Sequence, residues 1–286
     1  MNLFPTPFTD PCQLPFNRRS LALEFELKAP DRDPGGPGYL LLLRGSELLV
    51  QRQGEGRTEL PLDPRIETEQ APLYIGQWQG RPCRALRLSR EQEAPEGLAP
   101  RDILAEYCEL SPALLSLGGV AGQILYWHKN SRHCSLCAAP SEALPGEWGR
   151  RCPSCGHARF PALHPCVIVL VVRGDELLLT RKTDWVPHRY SLVAGFVDFG
   201  ECLEEAAVRE VREETAVEIG NLRYLGSQNW PFPSQLMAGF VADWTSGEIR
   251  VCEKELEDAR WFRKDALPGL PPRRSIARYL IDRVCG

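Results

Sequence analysis

The sequence has no long hydrophobic run and no strong excess of charge of one sign. Its longest unbroken apolar run covers residues 166–172, whereas a helix that spans a bilayer needs roughly 20 apolar residues. The 34 basic and 38 acidic side chains give a net charge of −4 at pH 7, which offers no broad positive surface to duplex nucleic acid or an anionic membrane. We therefore expect no membrane contact, while binding of one nucleotide or an RNA end stays open.

The sequence also shows no targeting signal, and its cysteines cannot all be paired in disulfides. Residues 1–12 do not place a basic segment before an apolar stretch, so no secretory signal is predicted. Residues 283–286 match neither a prenylation nor a peroxisomal signal. The 11 cysteines cannot all pair with one another because their number is odd, and unpaired thiols are typical of a reducing compartment. We expect a cytoplasmic protein.

Two common nucleotide-binding motifs are absent. No lysine follows a glycine, which excludes a P-loop, and no G-x-G-x-x-G follows a strand-like run. The second absence argues against a Rossmann site, so the sequence does not predict NAD as a bound redox cofactor.

The chain is long enough for about two domains at ~150 residues each, or three if one is small. Residues 1–130 alternate strand-like runs with turns; they include a predicted hairpin of strands 39–43 and 47–51 and helices over 101–109 and 112–128. Residues 131–162 are rich in Cys, Gly, Pro and Arg, and residues 163–286 return to strands and helices. We predict a mixed α/β N-terminal domain, a small ribbon and a third domain with these bounds.

The third domain is predicted to be a layered α/β fold. A hairpin of strands 166–172 and 176–180 precedes a Gly-rich bend and a charged helix over 202–215. The elements that follow are strands over 222–227, 236–241 and 260–262 and an amphipathic helix over 275–284. Strands with helices on more than one face favour layers rather than a barrel.

Four cysteines form two close pairs, Cys134-x2-Cys137 and Cys152-x2-Cys155, separated by fourteen residues. Two intervening residues let both thiolates of a pair approach one ion, and two pairs supply the tetrahedral sulfur set that Zn²⁺ prefers. A redox motif would need only one pair in a βαβ setting, which is absent. We predict one structural Zn²⁺ per chain, with no coordination position open for catalysis.

Three carboxylates, Glu210, Glu213 and Glu214, fall within an arc of about 100° on the predicted charged helix. Three neighbouring carboxylates repel one another unless cations lie between them. Hard oxygen ligands of this kind select Mg²⁺ or Mn²⁺ over zinc. Leu203 and Ala207 lie on the same side, so we expect this acidic face to point inward. Taken alone, the cluster would still favour a solvated acidic helix.

The cluster belongs to a longer pattern, Gly195-x5-Glu201-x7-Arg209-Glu210-Val211-Arg212-Glu213-Glu214-Thr215-Ala216-Val217. It resembles the Nudix box, G-x5-E-x7-R-E-U-x-E-E-x-G-U with U an aliphatic residue, at every position except Ala216, which stands where the family has glycine. The resemblance implies an α/β/α sandwich with a mixed sheet. It also implies hydrolysis of a nucleoside diphosphate linked to another moiety, with divalent metals.

A second array begins ten residues after the box and reads Ser227-Gln228-Asn229-Trp230-Pro231-Phe232-Pro233-Ser234-Gln235. It resembles the S-Q-P-W-P-F-P-x-S signature of the NADH pyrophosphatase subfamily, which also removes NAD caps from RNA. Asn229 stands in place of a proline, and the last two residues depart from the x-S ending. The subfamily has an N-terminal domain, a zinc ribbon and a Nudix domain in this order, so the resemblance covers the whole chain.

The chemistry of the array suits a dinucleotide. Pro231 and Pro233 hold the backbone extended, so that the side chains between them lose little entropy on binding. Trp230 and Phe232 offer flat surfaces on which a nicotinamide or adenine ring could stack. The simpler alternative is a Pro-rich turn that carries core aromatics.

The resemblance also implies the remaining site residues. The implied ligands of two or three Mg²⁺ or Mn²⁺ ions are Glu210, Glu213, Glu214, Glu255 and the carbonyl of Ala194. Glu214 is the favoured general base, with Glu213 as the second choice. Besides the array, of which Gln228 and Ser234 offer polar groups, the implied substrate contacts are Phe160, Glu147 and Ala277.

The implied activity is cleavage of NADH or NAD to NMN(H) and AMP, and removal of NAD caps from RNA 5′ ends, by a homodimer. A rival hypothesis is a catalytically idle Nudix fold that senses NAD or binds RNA. The complete glutamate set argues against that rival. A third hypothesis, within the same enzyme class, is hydrolysis of ADP-ribose or dinucleoside polyphosphates.

Overall fold

A computed structural model of the chain describes residues 6–52, 58–63, 66, 70–106 and 109–286. The described residues divide into two compact units. The first contains Phe16–Leu163 together with Trp230–Ser234, and the second contains 6–15, His164–Asn229 and Gln235–Gly286. Each unit therefore includes a short segment whose neighbours along the chain belong to the other.

The first unit is built on a mostly antiparallel sheet. Its strands are β1 (Phe25–Leu27), β2 (Tyr39–Arg44), β3 (Glu47–Arg52), β4 (Thr58–Glu59), β5 (Leu73–Trp78), β6 (Arg81–Leu88) and β7 (Leu98–Asp102). The order is β1-β5-β6-β2-β3-β4, with β7 also paired to β3, and β2 and β6 run parallel. Gly45 turns the β2–β3 hairpin with a φ of +60°, and this hairpin confirms the predicted strands 39–43 and 47–51.

The predicted helix over 101–109 is wrong. Arg101 and Asp102 belong to β7, which pairs antiparallel with β3 and places Leu48 opposite Arg101. The carboxylate of Asp102 then accepts the N–H of Leu104 at 2.8 Å and turns the chain. Pairing with β3 satisfies the backbone groups that a short isolated helix would have to satisfy alone. Residues 107 and 108 of the predicted helix lie outside the described residues.

Helix α1 (Pro112–Asn130) confirms the predicted helix 112–128. Ser111 caps it by accepting the N–H of Leu114 at 3.2 Å, and Pro112 takes the first helical position, where its missing N–H costs nothing. The first half of α1 is buried, and the second half is partly exposed. The small ribbon that follows has three short strands, β8 (Glu142–Ala143), β9 (Arg150–Arg151) and β10 (Ala158–Arg159), in the order β10-β9-β8.

The second unit is a sandwich of a mixed sheet between two helices. Its elements are β11 (His164–Arg173), β12 (Glu176–Arg181), β13 (Val193–Phe196), α2 (Leu203–Thr215), β14 (Glu218–Trp230), β15 (Gln235–Ser246), β16 (Asp258–Arg263) and α3 (Ile276–Cys285). The sheet order is β14-β15-β11-β12-β16, with β13 also paired to β11. Strands β11 and β15 run parallel, whereas β12 and β13 pair antiparallel with β11.

Side-chain alternation along β11 separates two cores. Val167 and Val169 pack with Ala207 and Val211 of α2, and we call this cluster the α2-side core. Ile168 and its alternate neighbours pack with α3 in the α3-side core. Successive strand residues point to opposite faces, so this buried run needs a helix on each side. The predicted α/β/α sandwich is confirmed.

The strands of the second unit are longer than the sequence predicts. The strands predicted over 222–227 and 236–241 extend to the whole of β14 and β15.

Within the described ranges, no helix combines the length and the apolar character that crossing a bilayer requires.

Candidate active site and zinc centre

Helix α2 places two carboxylates against the sheet. The N–H of Cys202, just before the helix, donates to the Glu205 carboxylate at 2.8 Å and stabilises the first turn. Ala207 is fully buried in the α2-side core. One and two turns further on, Glu210 and Glu214 are only 7% and 1% exposed. For these two glutamates the predicted inward orientation of the acidic face is confirmed.

Arg209 supplies a cation among the acidic side chains. Its guanidinium donates to the two oxygens of Glu201 at 2.5 and 2.8 Å, to Glu210 at 2.8 Å and to Glu213 at 3.1 Å. A further bond of 2.8 Å goes to the carbonyl of Phe196. The bonds from Arg209 hold the pKa of Glu201 at about 2, because they favour the charged carboxylate. The ion pair between Glu201 and Arg209 thus links the Gly-rich bend before α2 to the helix itself.

Gly195 leaves the space that the Glu210 carboxyl group occupies. It lies in β13 opposite Val167 of β11. A Cβ atom at this position would overlap the carboxyl group of Glu210, so a larger residue would displace that side chain. The close approach gives a steric reason for glycine at the first position of the box.

The loop after β15 brings a third carboxylate to the pair. The N–H of Cys252 donates to the carbonyl of Glu214 at 3.0 Å, which satisfies a backbone group that the end of a helix leaves open. Glu255 lies three residues after Cys252 in the same loop. One oxygen each of Glu210, Glu214 and Glu255 lies within 4.8 Å of the others.

The environment of Glu214 fits a metal ligand. Both of its carboxylate oxygens are buried without a hydrogen-bond partner among the described residues. Burial, with repulsion from Glu210 and Glu255, raises the pKa of Glu214 to about 8, although the charge of Lys182 acts against this rise. The two buried acids, Glu210 and Glu214, are unfavourable side by side without a cation, and hard divalent cations prefer such oxygen ligands. The three carboxylates therefore fit a divalent metal site.

Two other predicted metal ligands lie beside this cluster. The side chain of Glu213 is 58% exposed and is paired with Arg209, and it is not among the three carboxylates that converge within 4.8 Å. Ala194 lies in β13 next to Gly195, and its methyl group packs against the α3-side core. The roles of Glu213 and of the Ala194 carbonyl stay predictions.

Lys182 is a charged group near the cluster that the sequence analysis missed. It follows directly after β12, two residues beyond Thr180 and four beyond Leu178, which belongs to the α2-side core. Its charge lowers the pKa of Glu214. Alternation along β12 was the available signal, but a lone lysine after a strand is more often a solvated residue.

The aromatic array forms the turn between β14, which ends at Trp230, and β15, which begins at Gln235. The rings of Trp230 and Phe232 lie edge to face with 5.2 Å between their centroids. Both side chains are half-buried, Pro231 is buried, and Pro233 is exposed. The two rings therefore keep accessible surface on either side of a buried proline.

Two polar residues of the array are buried. Gln228 is fully buried; its amide donates to the carbonyls of Pro15 at 2.8 Å and Arg274 at 2.7 Å and accepts the N–H of Ile276 at 2.8 Å. Ser234 is 3% exposed. Because both N–H groups of the Gln228 amide are used within the protein, its side chain supports the start of the array. Its predicted contact with substrate stays a prediction, as does that of Ser234.

The other predicted substrate residues have different surroundings. Phe160 is 52% exposed and Glu147 is exposed, both in the ribbon segment. Ala277 in α3 is 4% exposed and packs in the α3-side core. Asn229 and Gln235 are half-buried. The exposed residues are accessible to a ligand, whereas the methyl group of Ala277 is enclosed.

The four cysteines of the ribbon converge. The Sγ atoms are separated by 3.4 Å for Cys137 and Cys152, 3.5 Å for Cys137 and Cys155, and 3.6 Å for Cys134 and Cys155. These distances approach the edge of about 3.8 Å in a tetrahedron of sulfurs around zinc and far exceed a disulfide bond of about 2.05 Å. The ribbon thus has the sulfur set of a structural zinc site.

The two cysteine loops have the same backbone geometry. The N–H of Cys134 donates to Ala139 at 2.8 Å, and that of Cys152 donates to His157 at 2.9 Å. Backbone N–H groups of Cys137 and Leu136 lower the pKa of the Cys134 thiol to about 6. These bonds favour the thiolate form of Cys134, one of the four thiolates that zinc requires.

Ala216 shows how α2 ends without the glycine of the box. It adopts a left-handed φ of +58°, and its N–H donates to the carbonyl of Arg212 at 2.8 Å. Alanine costs about 1–2 kcal/mol in this region, and part of a gain from glycine is lost to its freer unfolded state. We expect Ala216→Gly to raise stability by about 0.5–1 kcal/mol, or roughly 1–4 °C in Tm. Thermal unfolding measures this.

The matched control for this prediction is Ala206→Gly. Ala206 lies in the interior of the same helix, where glycine costs about 1 kcal/mol, so its Tm should fall. A Tm of Ala216→Gly equal to or below that of the natural protein would contradict the strain that we assign to this position.

The fold and the carboxylate cluster define the second unit as a Nudix fold. A family profile described as "NUDIX domain" matches residues 162–284. Two others, "NADH pyrophosphatase-like rudimentary NUDIX domain" and "NADH pyrophosphatase zinc ribbon domain", match residues 37–127 and 129–160.

Curated relatives are similar over most of the chain. The protein named "NAD-capped RNA hydrolase NudC" from Pseudomonas aeruginosa (strain LESB58) is 46% identical over 82% of each chain. That of Stutzerimonas stutzeri is 43% identical over 84% of each chain. A crystal structure of a NUDIX hydrolase from Nitrosomonas europaea is 22% identical, with a TM-score of 0.45, over 54% of this chain and 93% of that one. The chain belongs to the Nudix hydrolase family that includes these NudC relatives.

Proposed function

We propose that the protein hydrolyses the pyrophosphate bond of NADH and NAD to release NMN(H) and AMP, and that it removes NAD caps from RNA 5′ ends to leave a 5′-monophosphate. The cluster of the buried Glu210 and Glu214 with the exposed Glu255 carries this proposal, because it fits the divalent cations that such chemistry uses. The names of the NudC relatives and the aromatic array support this choice of substrate.

The carboxylates would hold two or three Mg²⁺ or Mn²⁺ ions through Glu210, Glu214 and Glu255, with Glu213 and the Ala194 carbonyl as further ligands. When bound, the ions supply charge neutralisation at the pyrophosphate and a water activated for in-line attack. Arg209 holds Glu210 in place through its 2.8 Å bond. A positioned carboxylate can accept the proton of the attacking water, and Glu214 is the favoured general base, with Glu213 as the second choice.

The array would bind the bases. Trp230 and Phe232 would stack on rings of the dinucleotide, and Gln228, Ser234, Phe160, Glu147 and Ala277 would complete or support the substrate pocket. We further propose the domain bounds 1–130, 131–162 and 163–286 and a cytoplasmic homodimer. The subfamily resemblance supports the dimer, and the described cysteines, which form no disulfide with one another, fit a reducing compartment.

One assay tests the proposed activity. The purified protein with Mn²⁺ is offered NADH, ADP-ribose and NAD-capped RNA separately, and the products are identified by mass. We expect NMNH and AMP from NADH, and 5′-monophosphate RNA from the capped RNA. Retained binding without turnover of any substrate would favour the idle NAD-sensing or RNA-binding module. Faster cleavage of ADP-ribose than of NADH would favour the third hypothesis.

The role of the array predicts a selective effect of Trp230→Ala and Phe232→Ala. Loss of a stacking surface costs about 1–3 kcal/mol, or about 5- to 150-fold in kcat/KM for NADH. Cleavage of ADP-ribose, which lacks the nicotinamide ring, should fall much less. Tyr224→Ala is a matched control, because this exposed aromatic also lies on β14. An equal drop for both substrates would show support of the fold or a shared adenine site. An unchanged kcat/KM for NADH would show that the array is only a Pro-rich turn and does not bind the substrate.

A further inference from the structure

Phe16 lies beneath the two rings of the array. It is 1% exposed, and its ring meets Trp230 at 5.7 Å and Phe232 at 5.4 Å between centroids, each at an interplanar angle of 88°. Because Trp230 and Phe232 also touch edge to face, the three rings form a closed cluster, which we call the ring triad. Edge-to-face contact restricts the orientation of both partners, so Phe16 limits how the two half-buried rings can tilt.

The backbone of Phe16 is itself held from helix α1. Phe16 has a φ of +71°, a conformation that a bulky residue adopts rarely and only when its surroundings impose it. Its N–H donates to Ser116 Oγ at 3.0 Å, and the same hydroxyl donates to the carbonyl of Pro112 at 2.7 Å. Ser116 is fully buried. The strained backbone therefore has a defined anchor in α1.

Gly119 of α1 provides the seat for the ring triad. A Cβ atom there would lie 2.5 and 2.7 Å from two ring carbons of Phe16 and 2.8 Å from Cγ of Pro231. Glycine is unfavourable inside a helix, and this close approach gives a packing reason for it. Phe16, Ser116, Gly119 and the Trp230–Ser234 turn all belong to the first compact unit.

We propose that Phe16, seated on Gly119 and anchored by Ser116, is a positioning residue that sets the orientation of Trp230 and Phe232 for the bases of the substrate. This inference rests on the proposed function and gives the N-terminal domain a part in substrate selection. Rings fixed before binding lose less entropy when a base stacks on them. The effect of Phe16 should appear in KM for a dinucleotide and pass through the two rings.

The test compares steady-state kinetics of Phe16→Leu, Phe16→Met and Gly119→Ala with those of the natural protein. Gly122→Ala is the matched control, because a Cβ there meets its nearest described atoms at 3.6 and 3.7 Å, ordinary contact. We expect KM for NADH to rise about 5- to 30-fold in the first three variants, within the range for a lost stacking surface. We expect kcat to change less than about threefold and Gly122→Ala to behave like the natural protein.

A double-mutant comparison separates positioning from general packing. In a Trp230→Ala, Phe232→Ala background, Phe16→Leu should change KM for NADH by less than about twofold, because its effect passes through the missing rings. Failure of the natural protein to cleave NADH would overturn the proposed function together with this inference. If the natural protein cleaves NADH, three results would overturn the inference alone: unchanged KM in all three variants, loss confined to kcat, or an undiminished effect of Phe16→Leu in the ringless background. Should Phe16→Leu fail to fold, Phe16→Met and Gly119→Ala decide the question.

Discussion

Glu214→Gln is expected to lower the turnover of NADH by about 10³-fold or more while the fold stays intact. Glutamine keeps the size of the side chain but removes a charge from the carboxylate cluster, where both oxygens of Glu214 lack a hydrogen-bond partner within the described part of the chain. Phosphoryl transfer depends almost entirely on positioning and charge neutralisation, so no other group compensates. The measurement is kcat at saturating Mn²⁺, with circular dichroism to check the fold.

Glu204→Gln is the matched control, because Glu204 lies exposed on the same helix. It should retain the activity of the natural protein. Turnover of Glu214→Gln within tenfold of the natural protein, at saturating Mn²⁺, would remove Glu214 from the assigned role.

The raised pKa of Glu214 adds a pH dependence to this comparison. Without added Mg²⁺ or Mn²⁺, the folded protein keeps the proton of Glu214 up to a pH of about 8, whereas the ordinary value is 4.5. Between these values the unfolded chain binds fewer protons than the folded one, so the free energy of unfolding falls as pH rises. Glu214→Gln lacks this group. The Tm of Glu214→Gln minus that of the natural protein should therefore increase between pH 5 and pH 8.

Cys134→Ser is expected to lose the bound zinc and to destabilise the ribbon strongly. Binding of zinc to the folded ribbon is part of its folding free energy, and a serine hydroxyl replaces one of four thiolates. A loss of at least ~3 kcal/mol corresponds to a fall in Tm of roughly 6–12 °C. The measurements are zinc per chain by mass spectrometry and the Tm. Strong chelation of the natural protein should have the same effect on stability.

Cys12→Ser is the control, because Cys12 is an exposed thiol outside the ribbon. Its zinc content and its Tm should match the natural protein. A Cys134→Ser variant that still binds one zinc per chain and melts normally would refute the assignment of the four sulfurs.

The sequence predicted those parts of the fold whose signal is local. Two apolar runs joined by a turn predicted the β2–β3 hairpin, and motif spacing predicted helix α2 and the cysteine pairs. The structure has all three. The helix over 101–109 failed because the pairing of β7 with β3 is a contact between distant segments. A nine-residue pattern carries little helix signal against such pairing.

The candidate site was predictable from motifs but not in its detail. Helical spacing placed Glu210 and Glu214 on one face, and the structure buries both. The same spacing could not show that the side chain of Glu213 is 58% exposed while it pairs with Arg209. The burial of Gln228 depends on the carbonyls of Pro15 and Arg274, both far away in sequence. No local pattern predicts such partners, because they are set by the topology of the whole chain.

The exchange of short segments between the two compact units bears on how this protein can be dissected. Leu14 is fully buried in the α3-side core although it precedes the first unit in the chain. A Nudix fragment that starts at residue 163 would therefore lack a part of its own interior and expose the apolar surface that Leu14 covers. A fragment that ends before residue 163 would likewise lack Pro231 beside Gly119. A single break in the chain between residues 162 and 163, by proteolysis or gene truncation, thus removes a packed segment from each unit. One such break cannot yield two fragments that each keep a complete interior.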